Sequence, residues 1–278
     1  MNKIVDLYTQ FTSFEGSLFR YSLSFSLLLA LAPGLTIFVM LFVFAYLDPT
    51  IIIDFATKLL PSEYVTPFVE FIISRGNYST TPVFTTLLIA LWLASRAVYS
   101  FLLINAQHES IEVPKWAIRI KSILIFLALS LYVVATLYLL TQINFYSFSF
   151  LLPFIGALAL LIGFILFYRG LSFEKKELSY GLLGGLFSTV SIMGTAYLFF
   201  LVLNQFTDYS TIYGPLASLV VLLLSIYILS CLIYFGYLLN VVYEEESQSI
   251  KMKHALYYNF CSRIHELVIE HIKFKFIK

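Results

Sequence analysis

Phe84-Thr-Thr-Leu-Leu-Ile-Ala-Leu-Trp-Leu-Ala-Ser-Arg-Ala-Val-Tyr-Ser-Phe-Leu-Leu-Ile104 carries one charged side chain, Arg96, near its middle. The segment is apolar on every side of a helix, and its length matches the ~30 Å hydrocarbon core of a bilayer. It therefore reads as a membrane span. A charge at the centre of such a span costs at least ~2.5–3.5 kcal/mol, so Arg96 needs a partner, a water-filled cavity or a ligand. By helical rise Arg96 lies ~15 Å from either end of its span, too far for easy snorkelling. The face it shares with Trp92, Tyr99, Ser100, Leu103 and Gln107 is expected to point inward.

Five more apolar runs of comparable length accompany this one: Tyr21–Leu47, Ile120–Gln142, Phe148–Tyr168, Ser179–Asn204 and Tyr213–Tyr243, with the quoted run extended to Val83–Gln107. The chain is 60% hydrophobic and 12% charged, which excludes an ordinary soluble domain. The expected fold is all-α: a polytopic membrane protein with six transmembrane helices and flanking interfacial amphipathic helices. The first apolar run begins well inside the chain and lacks a small-residue cleavage site, so it is read as a retained span.

Lys and Arg alternate in density along the connections. Lys3 and Arg20, then Lys115, Arg119 and Lys121, then Arg169, Lys175 and Lys176, and six more from Lys251 to Lys278 fall on one side. The links after Gln142 and Asn204 carry none. The positive-inside rule places both termini in the cytoplasm, and the membrane is taken as the bacterial cytoplasmic membrane. Three units follow: an N-terminal interfacial helix over 1–20, a six-helix transmembrane domain over 21–243, and a cytoplasmic amphipathic tail over 244–278. The outer loop 48–82 is expected to hold two short amphipathic helices, Thr50–Leu60 and Ser62–Ile73, divided at Pro61. Within the tail, 255–272 places apolar residues on one face, as for a helix docked on the bundle or on headgroups.

The spans contain no Asp or Glu, so Arg96 has no intramembrane carboxylate to pair with. Two partners remain open. One is backbone carbonyl freed by a broken helix; Pro33-Gly34 interrupts the first span, and a mid-helix proline frees the carbonyl four residues earlier, that of Leu29. The other is an anion brought by a ligand or lipid. The candidate ligand-binding set is therefore Arg96, Trp92, Tyr99, Ser100, Pro33 and Gly34. In the fifth run Gly181, Gly184, Gly185 and Ser188 form a small-residue stripe, continued by Gly214 at the start of the sixth; such stripes let helix backbones approach closely.

Catalytic chemistry finds no support. The histidines His108, His254, His265 and His271 do not fall at metal-ligand spacings, and no CxxC or GxSxG pattern occurs. No catalytic residue, metal or cofactor is expected, and a basic tail alone does not point to nucleic acid.

Four segments carry a family likeness: Tyr21-Ser-Leu-Ser-Phe-Ser-Leu-Leu-Leu-Ala-Leu-Ala-Pro33; Leu91-Trp-Leu-Ala-Ser-Arg96 followed by Asn105; Tyr180-Gly-Leu-Leu-Gly-Gly185; and Ile212-Tyr-Gly-Pro-Leu-Ala-Ser218 running on to Phe235-Gly-Tyr-Leu-Leu-Asn240. Together they resemble the YihY/BrkB family of bacterial inner-membrane proteins, once labelled ribonuclease BN. The resemblance implies six spans with cytoplasmic termini, and it aligns Arg96 and Pro33 with an arginine and a proline of the family pattern. Two positions depart from it: Ala32 stands where the family often has Ser, and Leu238 where it often has Glu. A mechanism built on an Arg–Glu pair is therefore not implied for this chain. The expected function is a transporter or flippase-like carrier of an amphipathic or anionic, lipid-like molecule, with membrane lipids as partners. A non-transporting envelope scaffold is the alternative, and a membrane ribonuclease the weakest reading.

Overall fold

The computed structural model describes residues 3–44, 67, 70, 88–142, 152–174, 176, 179–205 and 215–244. The expected loop helices, the tail helix and Gly214 lie outside the described residues. Eight helices are described: α1 (Lys3–Thr12), α2 (Phe14–Phe44), α3 (Leu88–Ala94), α4 (Arg96–His108), α5 (Lys115–Gln142), α6 (Leu152–Leu171), α7 (Leu182–Gln205) and α8 (Pro215–Glu244). Five of them (α2, α5, α6, α7 and α8) are long and apolar enough to cross a membrane, and α3 with α4 form a sixth, bent by 45°. In hydrocarbon every backbone polar group must find a partner within the protein, so long apolar runs settle as helices.

The helices contact one another in the order α2, α4, α5, α6, α7, α8 and back to α2, closing a ring. Additional contacts join α4 to α6 and α2 to α5, and α1 packs on α8 and α2. The corner between α1 and α2 is set by Ser13, whose hydroxyl donates to the Gln10 carbonyl (2.7 Å) and accepts from the Gly16 amide (2.9 Å). A Cβ at Gly16 would stand 2.4 Å from the Gln10 carbonyl oxygen, so only glycine fits this corner.

The main core gathers at one end of the ring, called the base here. Leu23 of α2, Phe101 and Leu102 of α4, Tyr168 and Leu171 of α6, and Tyr237 and Leu238 of α8 are all buried there. The short helix α4 supplies much of it: Ala97, Val98, Phe101, Leu102, Asn105 and Ala106 are all buried. A second, smaller cluster joins Ile37 of α2 to Ala90 and Ala94, with Phe126 of α5 packed against it.

Two expectations about helix breaks are corrected. Pro33 does not break the first span: α2 runs as one helix from Phe14 to Phe44 with Pro33 inside it. A membrane helix tolerates an internal proline, and α2 continues for more than two turns beyond it, with the Thr36 hydroxyl donating to the Ala32 carbonyl (3.0 Å). The break falls in the second span, at Ser95, in a run with neither Pro nor Gly.

Candidate functional site

At the break the Trp92 carbonyl accepts from two side chains. The Ser95 hydroxyl donates to it at 3.2 Å, and the Arg119 guanidinium of α5 donates to it as well. Arg119 also lies over the Trp92 ring, 3.9 Å from its centroid, and 5.4 Å from that of Tyr99. A side chain inserted into the helical ladder is a recognised cause of a kink. Of the two partners left open for Arg96, freed backbone carbonyl is held here by Arg119, and the carbonyl is that of Trp92, not Leu29.

Arg96 itself is exposed, as is Trp92, while Ser95 is fully buried. The same helix buries Ala97, Val98, Phe101 and Leu102, so Arg96 lies off the buried face of α4. Arg96 and Arg119 are near enough to interact electrostatically. Arg119 is four residues into α5, about 6 Å of helical rise from that helix's start. Arg96 and Arg119 therefore meet through their side chains, across the turn from α4 to α5. The central place of Arg96 in the run misleads about depth because the helix bends beside it.

The remaining candidate residues separate. Tyr99 and Ser100 are half-buried, and Ser100 Oγ lies 3.3 Å from Ser26 Oγ of α2. Pro33 is half-buried and Gly34 buried within α2. Among the described interactions neither is joined to Arg96.

A polar network forms inside the base. The Tyr237 hydroxyl donates to Asn105 Oδ1 (2.9 Å), and Asn105 Nδ2 donates to the carbonyl of Leu171, the last residue of α6 (3.1 Å). Asn240 Oδ1 accepts from the Gly184 amide in the first turn of α7 (2.7 Å). The Tyr168 hydroxyl donates to the Ile233 carbonyl (2.9 Å), which leaves Ser188 to donate to Tyr168 across 2.6 Å. Helix ends leave orphan amides and carbonyls, and burying one without a partner costs about 1–3 kcal/mol. Here α6 ends and α7 begins inside the protein, and Asn105 and Asn240 cap them. Just outside, Glu109 accepts from the Ser172 hydroxyl (2.5 Å) and the Phe173 amide (2.9 Å), tying the α4–α5 turn to the end of α6.

Within the glycine stripe, a Cβ on Gly184 would lie 2.0 Å from the Gly236 carbonyl oxygen, so α7 and α8 touch backbone to backbone. Gly185 faces Ile165 of α6, and Gly181 has a φ of +92°, in the left-handed region. Several family-like residues (Asn105, Gly184, Gly185, Gly236 and Asn240) therefore meet at one place. The sequence matches the virulence factor BrkB family over residues 7–256.

The chain belongs to the virulence factor BrkB family. This BrkB-family protein is an integral membrane protein, as its apolar helices also require. Comparison with curated proteins and with solved structures finds no match. Leu238, where the family often has an acid, is fully buried in the base core.

Reading the sequence overlooked Arg119, Tyr168 and Tyr237. Arg119 was counted only as a connection charge, and both tyrosines look like ordinary apolar-run aromatics. For Arg119, Trp116 three residues before it was an available signal, because tryptophan beside a basic residue marks a membrane–water boundary.

Proposed function

We propose that this BrkB-family protein is a carrier that moves an amphipathic or anionic, lipid-like molecule across the bacterial cytoplasmic membrane, with the base facing the cytoplasm. One observation carries the reading: packing is densest at the base, and beyond it two neighbouring helices of the ring, α6 and α7, lose their buried faces. No residue of α6 from Phe154 to Phe167 is buried, and none of α7 from Val190 to Phe199. A helix packed against a filled centre buries a stripe at every third or fourth position. These stretches touch their ring neighbours, as Gly163 touches Tyr132 and Gly185 touches Ile165, yet bury no such stripe. A bundle tightly packed at one end and loosely packed along two of its helices at the other suits a carrier that alternates its access.

The orientation is supported by charge. Lys3, Arg20, Lys115, Arg119, Lys121, Arg169 and Lys176 all sit in helices or turns at the base end, the side the positive-inside rule assigns to the cytoplasm. The reading is of a protein without catalytic activity.

The test is movement of lipid in liposomes. Purified protein should make an inner-leaflet, fluorophore-labelled anionic phospholipid accessible to an external quencher, in proportion to protein per vesicle. Absence of protein-dependent movement for labelled phospholipids and for amphipathic anions alike would refute the carrier and leave the scaffold reading.

A further inference from the structure

We infer that Arg96, Arg119 and Trp92 form a docking site for the phosphate headgroup of an anionic membrane lipid, where α3, α4 and α5 meet. Arg119 lies over the Trp92 ring, and Arg96 follows Trp92 by four residues, so the three side chains share one patch. The described ion pairs join Lys176 to Glu109 and Glu174 and involve neither arginine. Arg119 gives one donor to the Trp92 carbonyl, while its Nε is buried without a hydrogen-bond partner. Arg96 is exposed beside it. Two adjacent cations with donors to spare and no carboxylate between them are a receptor for an anion, and the guanidinium fork suits phosphate oxygens.

The surroundings make that anion a lipid. On α3 the exposed Leu88 and Ile89 lie one turn before Trp92, which is 57% exposed, and Arg96 follows one turn later. On α5 the exposed Trp116, Ile120 and Leu124 repeat at four-residue spacing past Arg119. Both helices therefore run from a basic, tryptophan-bearing level into exposed apolar side chains. An acyl chain needs such a surface and a free anion does not. Tryptophan prefers the headgroup level of a bilayer, and Arg119 stacked on Trp92 orients the ring there. The site deepens the carrier reading by naming a headgroup; it rests on that reading for the fate of the bound lipid and not for its binding.

The chain has two tryptophans, Trp92 and Trp116, both exposed, and Trp116 precedes Arg119 by three residues. Trp116→Phe leaves Trp92 as sole reporter. The full-length variant is placed in phosphatidylcholine vesicles with an equal fraction of either brominated phosphatidylglycerol or brominated phosphatidylcholine, and Trp92 quenching is read. The anionic lipid should quench more strongly at equal fraction. Arg96→Gln should weaken that preference about fivefold, and Arg96→Lys should retain most of it. Arg96 is the arginine to change because Arg119 also holds the helix break. Equal quenching by the two lipids would overturn the proposal, as would a preference unchanged in Arg96→Gln. Relief of quenching by added inorganic phosphate would overturn it too, assigning the site to a free anion. None of these readouts requires transport, so the carrier reading can fail while the docking site stands.

Discussion

Replacing Gly184 by alanine adds one carbon to α7 where α8 leaves no room. Its Cβ would lie 2.0 Å from the Gly236 carbonyl oxygen and 2.3 Å from Asn240 Nδ2. The first of these is backbone and cannot rotate away, so the two helices must separate. Overpacking of this kind costs roughly 1–3 kcal/mol. Separation also breaks the bond from the Gly184 amide to Asn240, and a buried group left unpaired costs a further ~1–3 kcal/mol. The combined loss is about 2–6 kcal/mol. Gly194, ten residues on in the same helix, has nothing within 4 Å of its would-be Cβ. There alanine meets no neighbour and gains up to ~1 kcal/mol of helix propensity. One substitution at two positions of one helix should thus have opposite signs. By the usual relation of stability to melting temperature for chains of this size, the two variants should differ by roughly 10 °C. Thermal unfolding of both in the same detergent, followed by intrinsic fluorescence and by recovery of monodisperse protein after heating, measures the gap. A Gly184→Ala protein as stable as Gly194→Ala would refute the backbone contact between α7 and α8 and the network built on it.

The base network predicts strong coupling between Asn105 and Tyr237. Asn105→Ala and Tyr237→Phe should each cost ~1–3 kcal/mol, and the double variant less than their sum; additive losses in a thermal double-mutant cycle would count against the shared bond. Arg119→Ala should speed amide hydrogen exchange around Trp92–Arg96, because the carbonyl at the break loses its guanidinium donor; exchange unchanged there would show that Ser95 suffices to hold the bend.

The membrane spans were legible because apolar length is a physical requirement of the bilayer, and each long run in the described part became a helix. The break at Ser95 was not. Neither Pro nor Gly marks it, and the group that holds it open comes from Arg119, on another helix. Pro33 misled in the opposite direction. A proline in water-exposed helix reads as a breaker, whereas α2 stays helical through it, with Thr36 bonded to the carbonyl just before the proline. Arg96 was correctly picked out as the charge needing explanation, but its depth was inferred from a straight helix. With a 45° bend one residue away, rise along the two helices no longer adds up to depth. Asn105 and Asn240 were noticed only as parts of a family likeness. That they cap the buried ends of α6 and α7 could not be read, because capping across helices depends on which helices become neighbours.

Those cross-helix caps bear on how the chain is made. The first turn of α7 is capped by Asn240, and the hydroxyl of Tyr168 donates to the carbonyl of Ile233; both partners belong to α8, the last span described. While α6 and α7 emerge from the ribosome and enter the membrane, these partners have not yet been synthesised. The nascent bundle carries uncapped polar groups until α8 arrives, and stopping synthesis before Ile233 would leave a protein that an insertion chaperone or a membrane protease can tell from a finished one.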